Sequence, residues 1–141
     1  MSNVELWTDG SCDNTNGVGG WGTIIVVGDT VLERFGASSE TTSNRMELTA
    51  VIKGLATIKT PSVVKVYTDS RYVSNGLRKG GWLDRGTTVK NHDLWVKAMK
   101  LVDSHVYVKP IWVRGHSGIE LNESADKLAG RARKKLLSRL G

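Results

Sequence analysis

Four acidic residues lie in four separate strings of this chain. Asp9 sits in Trp7-Thr8-Asp9-Gly10-Ser11, Glu47 in Asn44-Arg45-Met46-Glu47-Leu48, and Asp69 in Tyr67-Thr68-Asp69-Ser70. Asp126 follows the string Gly115-His116-Ser117-Gly118. The first and third strings are strand-like apolar runs that end in Thr-Asp-small. The second and fourth place an acid on a helix. Carboxylates gathered from such distant positions need something to hold them together. A hard divalent cation, which prefers oxygen ligands, is the usual partner.

Each acid also has a purely structural explanation. Asp9 precedes Gly10-Ser11 and could form an Asx turn. Asp69 precedes a short helix and could be its N-cap. Glu47 lies three residues after Asn44, the spacing of a capping box. Asp126 could be a first-turn acid favoured by the helix dipole. Two features weigh against these explanations. Glu47 shares a helix face with Val51 and Ile58, so it points toward the sheet. The four explanations must also hold independently, whereas one metal site accounts for all four acids. His116 alone would be an ordinary exposed histidine; its company gives it interest.

The elements that must position these groups follow from periodicity. Val4 to Asp9 alternates as a strand, with Glu5, Trp7 and Asp9 on one side and Val4, Leu6 and Thr8 on the other. Residues 13–20 are rich in Asn and Gly and predict a turn. Trp21 to Val27 and Thr30 to Phe35 are β-rich runs split by Gly28-Asp29, a hairpin signal. A helix is expected from Asn44 to Lys59, with Leu48, Val51, Leu55 and Ile58 at helical spacing and Pro61 beyond its end. Val63 to Thr68 predicts a fourth strand, and Ser70 to Leu77 a short helix closed by glycines. Gly80, Gly81 and Gly86 mark a loop. His92 to Val102 predicts a helix and Val106 to Val113 a fifth strand. Asn122 to Leu140 predicts the last helix, with Leu121, Ala125, Leu128, Ala132 and Leu136 as its stripe. The expected fold class is α/β: a five-stranded mixed sheet, three antiparallel strands first and then strands alternating with helices, flanked by helices. Asp9 and Asp69 become neighbours if the first and fourth strands pair in parallel.

The 141 residues, 39% hydrophobic and 24% charged, fit one ordinary globular domain spanning residues 1–141. No apolar run approaches a membrane span, so no membrane partner is expected. Cys12 is the lone cysteine, and no signal peptide is visible; a cytoplasmic location is the simplest expectation. The net charge is +6. Residues 1–70 and 101–126 are net acidic, at −3 and −2, whereas residues 71–100 and 127–141 are net basic, at +5 and +6. An acidic centre flanked by basic surface suits a polyanion handled through metal ions.

Together, in this order and spacing, the strings resemble ribonuclease H of type 1, from about Val4 to Arg133. The resemblance implies that Asp9, Glu47, Asp69 and Asp126 are the four metal-binding, catalytic carboxylates, and that His116 is the mobile catalytic histidine. It also implies that Glu123 assists metal exchange. Gly10, Ser11, Cys12 and Asn44 match contacts to the RNA strand in the minor groove. Thr42 and Asn91 match positions that hold a DNA-strand phosphate, and Trp82 the aromatic that packs on a DNA sugar. The basic protrusion carried by many members is missing: between Asn75 and Lys90 only Arg78, Lys79, Arg85 and Lys90 remain.

The implied activity is endonucleolytic hydrolysis of the RNA strand of an RNA/DNA hybrid, leaving 5′-phosphate and 3′-hydroxyl ends. Two Mg²⁺ ions, with Mn²⁺ as substitute, would be the cofactors, Asp9 bridging them. Glu47 and Asp69 would face the leaving group and Asp126 the attacking water. A monomer is expected. Other possibilities are a DNA-acting nuclease of the same fold, such as a junction resolvase, a non-catalytic hybrid-binding module, or a reverse-transcriptase domain cut from a larger protein.

Overall fold

The computed structural model describes residues 2–141. Its sheet has the strand order β3-β2-β1-β4-β5, from β1 (Ser2–Cys12), β2 (Gly19–Val27), β3 (Thr30–Ser38), β4 (Ser62–Thr68) and β5 (Tyr107–Trp112). The first three strands form an antiparallel meander, while β4 and β5 add in parallel. This is the expected α/β architecture, with β1 at the centre. The helices are α1 (Ser43–Thr57), α2 (Arg71–Arg78), α3 (His92–Asp103) and α4 (Glu120–Leu140).

Alternation along β1 and β4 decides what covers each face. Val4, Leu6, Val64 and Val66 are buried against Leu48, Val51 and Leu55 of α1. Each such aliphatic side chain contributes about 1.5–3 kcal/mol of transfer free energy. Val73 and Leu77 of α2, with Leu94, Trp95 and Ala98 of α3, extend the same core. The fully buried Trp95 donates its indole N–H to the Tyr72 hydroxyl at 2.8 Å, so its one polar atom is satisfied. The other face of β1 and β2 carries α4. Gly22 has no side chain there, and a Cβ would lie 2.7 Å from the Ala125 carbonyl oxygen. That absence lets the helix lie directly on the strand backbone.

Several boundaries differ from the sequence expectation. β1 does not stop at Asp9; Gly10, Ser11 and Cys12 continue it, paired with Trp21, Gly20 and Gly19 of β2. The Asx-type turn falls at Asp13 instead, whose carboxylate accepts from the Thr15 N–H at 2.9 Å and from the Thr15 hydroxyl at 2.6 Å. The glycine segment after α2 is a kinked 3₁₀ segment, Gly80–Thr88, with left-handed Gly81 and Trp82 inside it. It leads into α3 with no inserted helix, so the basic protrusion is absent from the fold as well. The edge strand β3 is exposed on both faces from Thr30 to Phe35.

Candidate active site

The parallel register places the two aspartates. Trp7 and Tyr67 are the last paired residues of β1 and β4, their rings stacked at 4.0 Å. Two residues further along each chain come Asp9 and Asp69. β4 ends at Thr68, and β1 outruns it. The cap of α2 is Ser70, whose hydroxyl accepts from the Val73 N–H at 3.1 Å. Asp69 is therefore not spent on capping. Its main-chain carbonyl accepts from the Trp112 indole N–H at 3.0 Å, tying this corner to β5.

Glu47 arrives from the helix side. The N-cap of α1 is Thr42, which accepts from the Arg45 N–H at 3.2 Å. The capping box from Asn44 does not form, and Glu47 turns inward to 9% exposure. Its carboxylate accepts from the Gly10 N–H, which also lies 3.0 Å from an Asp9 carboxylate oxygen. Gly10 permits this approach: a Cβ there would lie 2.6 Å from the Met46 carbonyl carbon. Asp126 sits seven residues into α4, beyond the first turn where the helix dipole acts.

One carboxylate oxygen each from Asp9, Glu47 and Asp69 falls within 4.8 Å of the others. Asp126 stands outside that triple but close enough to Asp9 to push its pKa up. Asp9 is 5% exposed, and among the described residues no positive side chain lies at ion-pair distance from the cluster. The one ion pair among the described residues, Arg45 with Asp93 at 2.8 Å, lies elsewhere. Burial, and then the neighbouring acids, raise Asp9 above the carboxylate range. Burial raises Glu47 too, with Asp69 and Asp126 adding to it, while hydrogen bonds to Asp9 and Gly10 pull the other way. Like charges this close cannot all ionise unless a cation is bound or protons are taken up.

His116 lies in the loop after β5, exposed and in the left-handed region at φ 54°. Gly115 brings that loop onto the clustered acids, since a Cβ there would lie 2.6 Å from Asp69 Oδ2. Glu123 accepts from the Gly118 N–H at 3.3 Å and so braces the far side of the loop.

The residues expected to touch substrate form two groups. Ser11, Cys12 and Asn44 lie near the acids. Ser11 and Cys12 belong to a strand, not a turn, because the β2 ladder holds them. The Ser11 hydroxyl accepts from Arg133 Nε at 3.0 Å, and the Cys12 thiol contacts the Thr41 carbonyl at 3.5 Å. Asn44 is exposed on the first turn of α1. The second group lies toward α3. Asn91, in the left-handed region at φ 60°, accepts from Arg45 at 3.3 Å and donates to the Tyr72 hydroxyl at 3.0 Å. Trp82 packs on Tyr72 and Trp95, with ring centroids 5.7 and 5.6 Å away.

Sequence reasoning missed three residues. Gly115 gives no sign of its role before the loop is folded. Arg45 joins α1 to Asn91 and Asp93, although it stands inside the Asn44–Leu48 string. Arg133, one charge within the C-terminal basic segment, turns inward to Ser11. Its spacing from Asp126, seven residues on one helix, was the available signal.

Central strands that deliver buried carboxylates to a helix-borne glutamate define an α/β, metal-dependent nuclease type of site. Residues 1–134 match the RNase H family. The chain is 45% identical over 139 residues to a ribonuclease H of Cupriavidus necator, covering 93% of this chain and 95% of that protein. It is 43% identical over 141 residues to a ribonuclease H of Gluconobacter oxydans, covering 94% and 93%. Among solved structures it resembles LC9-RNase H1, described as a type 1 RNase H with the type 2 active-site motif. That match has TM-score 0.81 and 29% identity over 96% of this chain and 74% of the other. RNase H1 of the halophilic archaeon Halobacterium salinarum shares the fold at TM-score 0.76 and 24% identity, covering 94% and 98%. The chain belongs to the RNase H family.

Proposed function

We propose that residues 1–141 act as a single catalytic domain that cleaves the RNA strand of RNA/DNA hybrids at Asp9, Glu47, Asp69 and Asp126. The observation that carries this is the carboxylate triple within 4.8 Å, Asp9 and Glu47 buried and Asp69 half-buried, with no ion-pair partner for it among the described residues. Buried like charges are retained at such a cost mainly where a cation binds. The donor set is all oxygen, which fits Mg²⁺, with Mn²⁺ as substitute. Bound there as two ions, Mg²⁺ would lower the pKa of a water and stabilise the attacking and leaving oxygens.

The chain's own groups then divide the work. Asp9, reached by Glu47, Asp69 and Asp126, would be shared by both ions. Glu47 and Asp69 would hold the ion that stabilises the leaving 3′-oxygen, and Asp126 the ion that activates the water. The water oxygen bonds to phosphorus as the bond to the 3′-oxygen breaks, giving 5′-phosphate and 3′-hydroxyl ends. His116, on a loop held by Gly115 and Glu123, carries a proton at the water side and helps product leave. Glu123, through the same loop, influences metal exchange.

Ser11, Cys12 and Asn44, beside the acids, contact the 2′-hydroxyls of the RNA strand, with Gly10 setting the backbone beneath them. Thr42, Asn91 and Trp82 take the DNA strand. Recognition by 2′-hydroxyl and groove shape needs no base reading. No helix among the described residues is long and apolar enough to cross a membrane. We place the protein in the cytoplasm as a monomer.

The test uses one labelled sequence as RNA/DNA, RNA/RNA and DNA/DNA, with and without Mg²⁺. Cleavage confined to the RNA of the hybrid, and only with metal, is expected. Cleavage of the all-DNA duplex would indicate a DNA nuclease, and metal-dependent binding without cleavage a hybrid-binding module.

A further inference from the structure

We infer that Arg133 is a substrate-binding residue that takes an RNA-strand phosphate beside the Ser11–Cys12 contact. This rests on the hybrid-cleaving function proposed above. The first observation is its placement. Asp126 and Arg133 are seven residues apart on α4 and face the same strand; at 1.5 Å rise per residue they lie roughly 10 Å apart along the helix. One helix face thus carries an acid for metal and, two turns further on, a base.

The second observation is how the side chain is held. Nε donates to the Ser11 hydroxyl at 3.0 Å. Gly20, the β2 partner of Ser11, makes room: a Cβ there would lie 3.1 Å from the Arg133 Cβ. The guanidinium is therefore anchored through Nε beside Ser11. Anchoring through one nitrogen leaves the two terminal amino groups as a planar, bidentate donor pair, the geometry that suits a phosphate.

The third observation is that nothing on the protein uses those two groups. Among the described residues, no carboxylate lies within ion-pair distance of Arg133. Asp13, which feels the Arg133 charge without forming an ion pair with it, is hydrogen-bonded by Thr15 and Asn16. A half-buried arginine, aimed by a serine and with no carboxylate at ion-pair distance, is complementary to an anion from outside. The RNA strand supplies one wherever Ser11 and Cys12 meet its sugars.

The test is Arg133→Ala and Arg133→Lys, with Lys135→Ala as control. Lys135 faces the Phe35 side of α4. Hybrid cleavage is measured over a salt series at fixed Mg²⁺, and thermal unfolding in parallel. Arg133→Ala is expected to raise KM roughly tenfold, as loss of one charged hydrogen-bond pair does, with kcat within about twofold. The slope of log KM against log salt should become shallower by about one. Arg133→Lys should keep the slope and recover part of the KM, since it keeps the charge and loses the fork. Lys135→Ala should match wild type.

An unchanged KM and slope in a folded Arg133→Ala would overturn the inference. So would a loss of kcat with an unchanged slope, which would make Arg133 a brace for Ser11. If Arg133→Ala unfolds, Arg133→Lys decides: a KM equal to wild type overturns the fork contact. A folded wild type that leaves the hybrid intact would overturn the function itself, a separate outcome read in the same assay.

Discussion

The two halves of β1 are equally buried and chemically opposite. In its first half, Val4 and Leu6 are 2% and 0% exposed and pair with Val64 and Val66 of β4. In its second half, Asp9 is 5% exposed among Glu47, Asp69 and Asp126. Burial of the first half lowers the free energy of folding. Burial of the second half raises it, because carboxylates lose water and face one another. The stabilised half holds the destabilised half in place. That division lets the acid cluster persist on a strand laddered to both of its neighbours.

Several changes would break or sharpen the contrast. The largest effect is expected from Asp9→Asn or Asp69→Asn. Each keeps shape but removes metal-binding charge worth several kcal/mol in the transition state, roughly a 10³-fold loss or more. Cleavage assays and circular dichroism check it; near-normal turnover in either variant would remove that residue from the site.

His116→Ala comes next. His116 is exposed and stands outside the acid triple, so cleavage should slow by about 10²–10⁴-fold without vanishing. A pH–rate profile is the measurement, and identity with wild type at every pH would make His116 a bystander.

Leu6→Ala probes the other half of the strand. It should cost about 2–5 kcal/mol of stability by denaturant unfolding. Below the transition, kcat should stay near wild type. A selective loss of activity in the folded variant would show that the halves are not separable.

The smallest effect concerns pH and metal removal. Asp9 and Glu47 have folded pKa values raised above their unfolded ones. Their contribution is therefore fully present below about pH 4 and is lost as pH rises through the folded values. In chelator, this site should make the melting temperature fall as pH rises above about 4. Asp9→Asn should flatten that slope, and Mg²⁺ at neutral pH should restore the lost stability. A metal-free melting temperature insensitive to both changes would contradict the repulsion.

Much of this contrast was legible before folding. Alternation in β1 and helical spacing in α1 show which side chains enter the core, and Thr-Asp-small marks where the acids emerge. The parallel pairing that brings Asp9 to Asp69 follows from an α/β order. Other features depend on distances no pattern encodes. Whether β1 stops at Asp9 is decided by its ladder with Gly19–Trp21, since Gly10 and Ser11 are residues that also favour turns. The Glu47 carboxylate reaches the Gly10 N–H only because α1 crosses β1 at that glycine. Arg133 looked like one more solvated charge of a basic helix. Its inward turn is set by the bare backbone of Gly20, distant in sequence.

The exposed edge strand bears on behaviour at high concentration. β3 runs from Thr30 to Ser38 with Val31, Leu32 and Phe35 between 47% and 58% exposed, a ready template for another copy. An antiparallel alignment that uses the whole strand is centred on Arg34, so Arg34 would oppose its own copy. Moving the centre one residue back sets Glu33 against Glu33. Like charges directly opposite one another weaken such a ladder. The full-length register and one of its two nearest neighbours thus carry a built-in veto, whereas the neighbour centred on Phe35 sets ring against ring. Light scattering from concentrated Arg34→Thr, where the first veto is gone, would show stacking of copies if that charge is what keeps them apart.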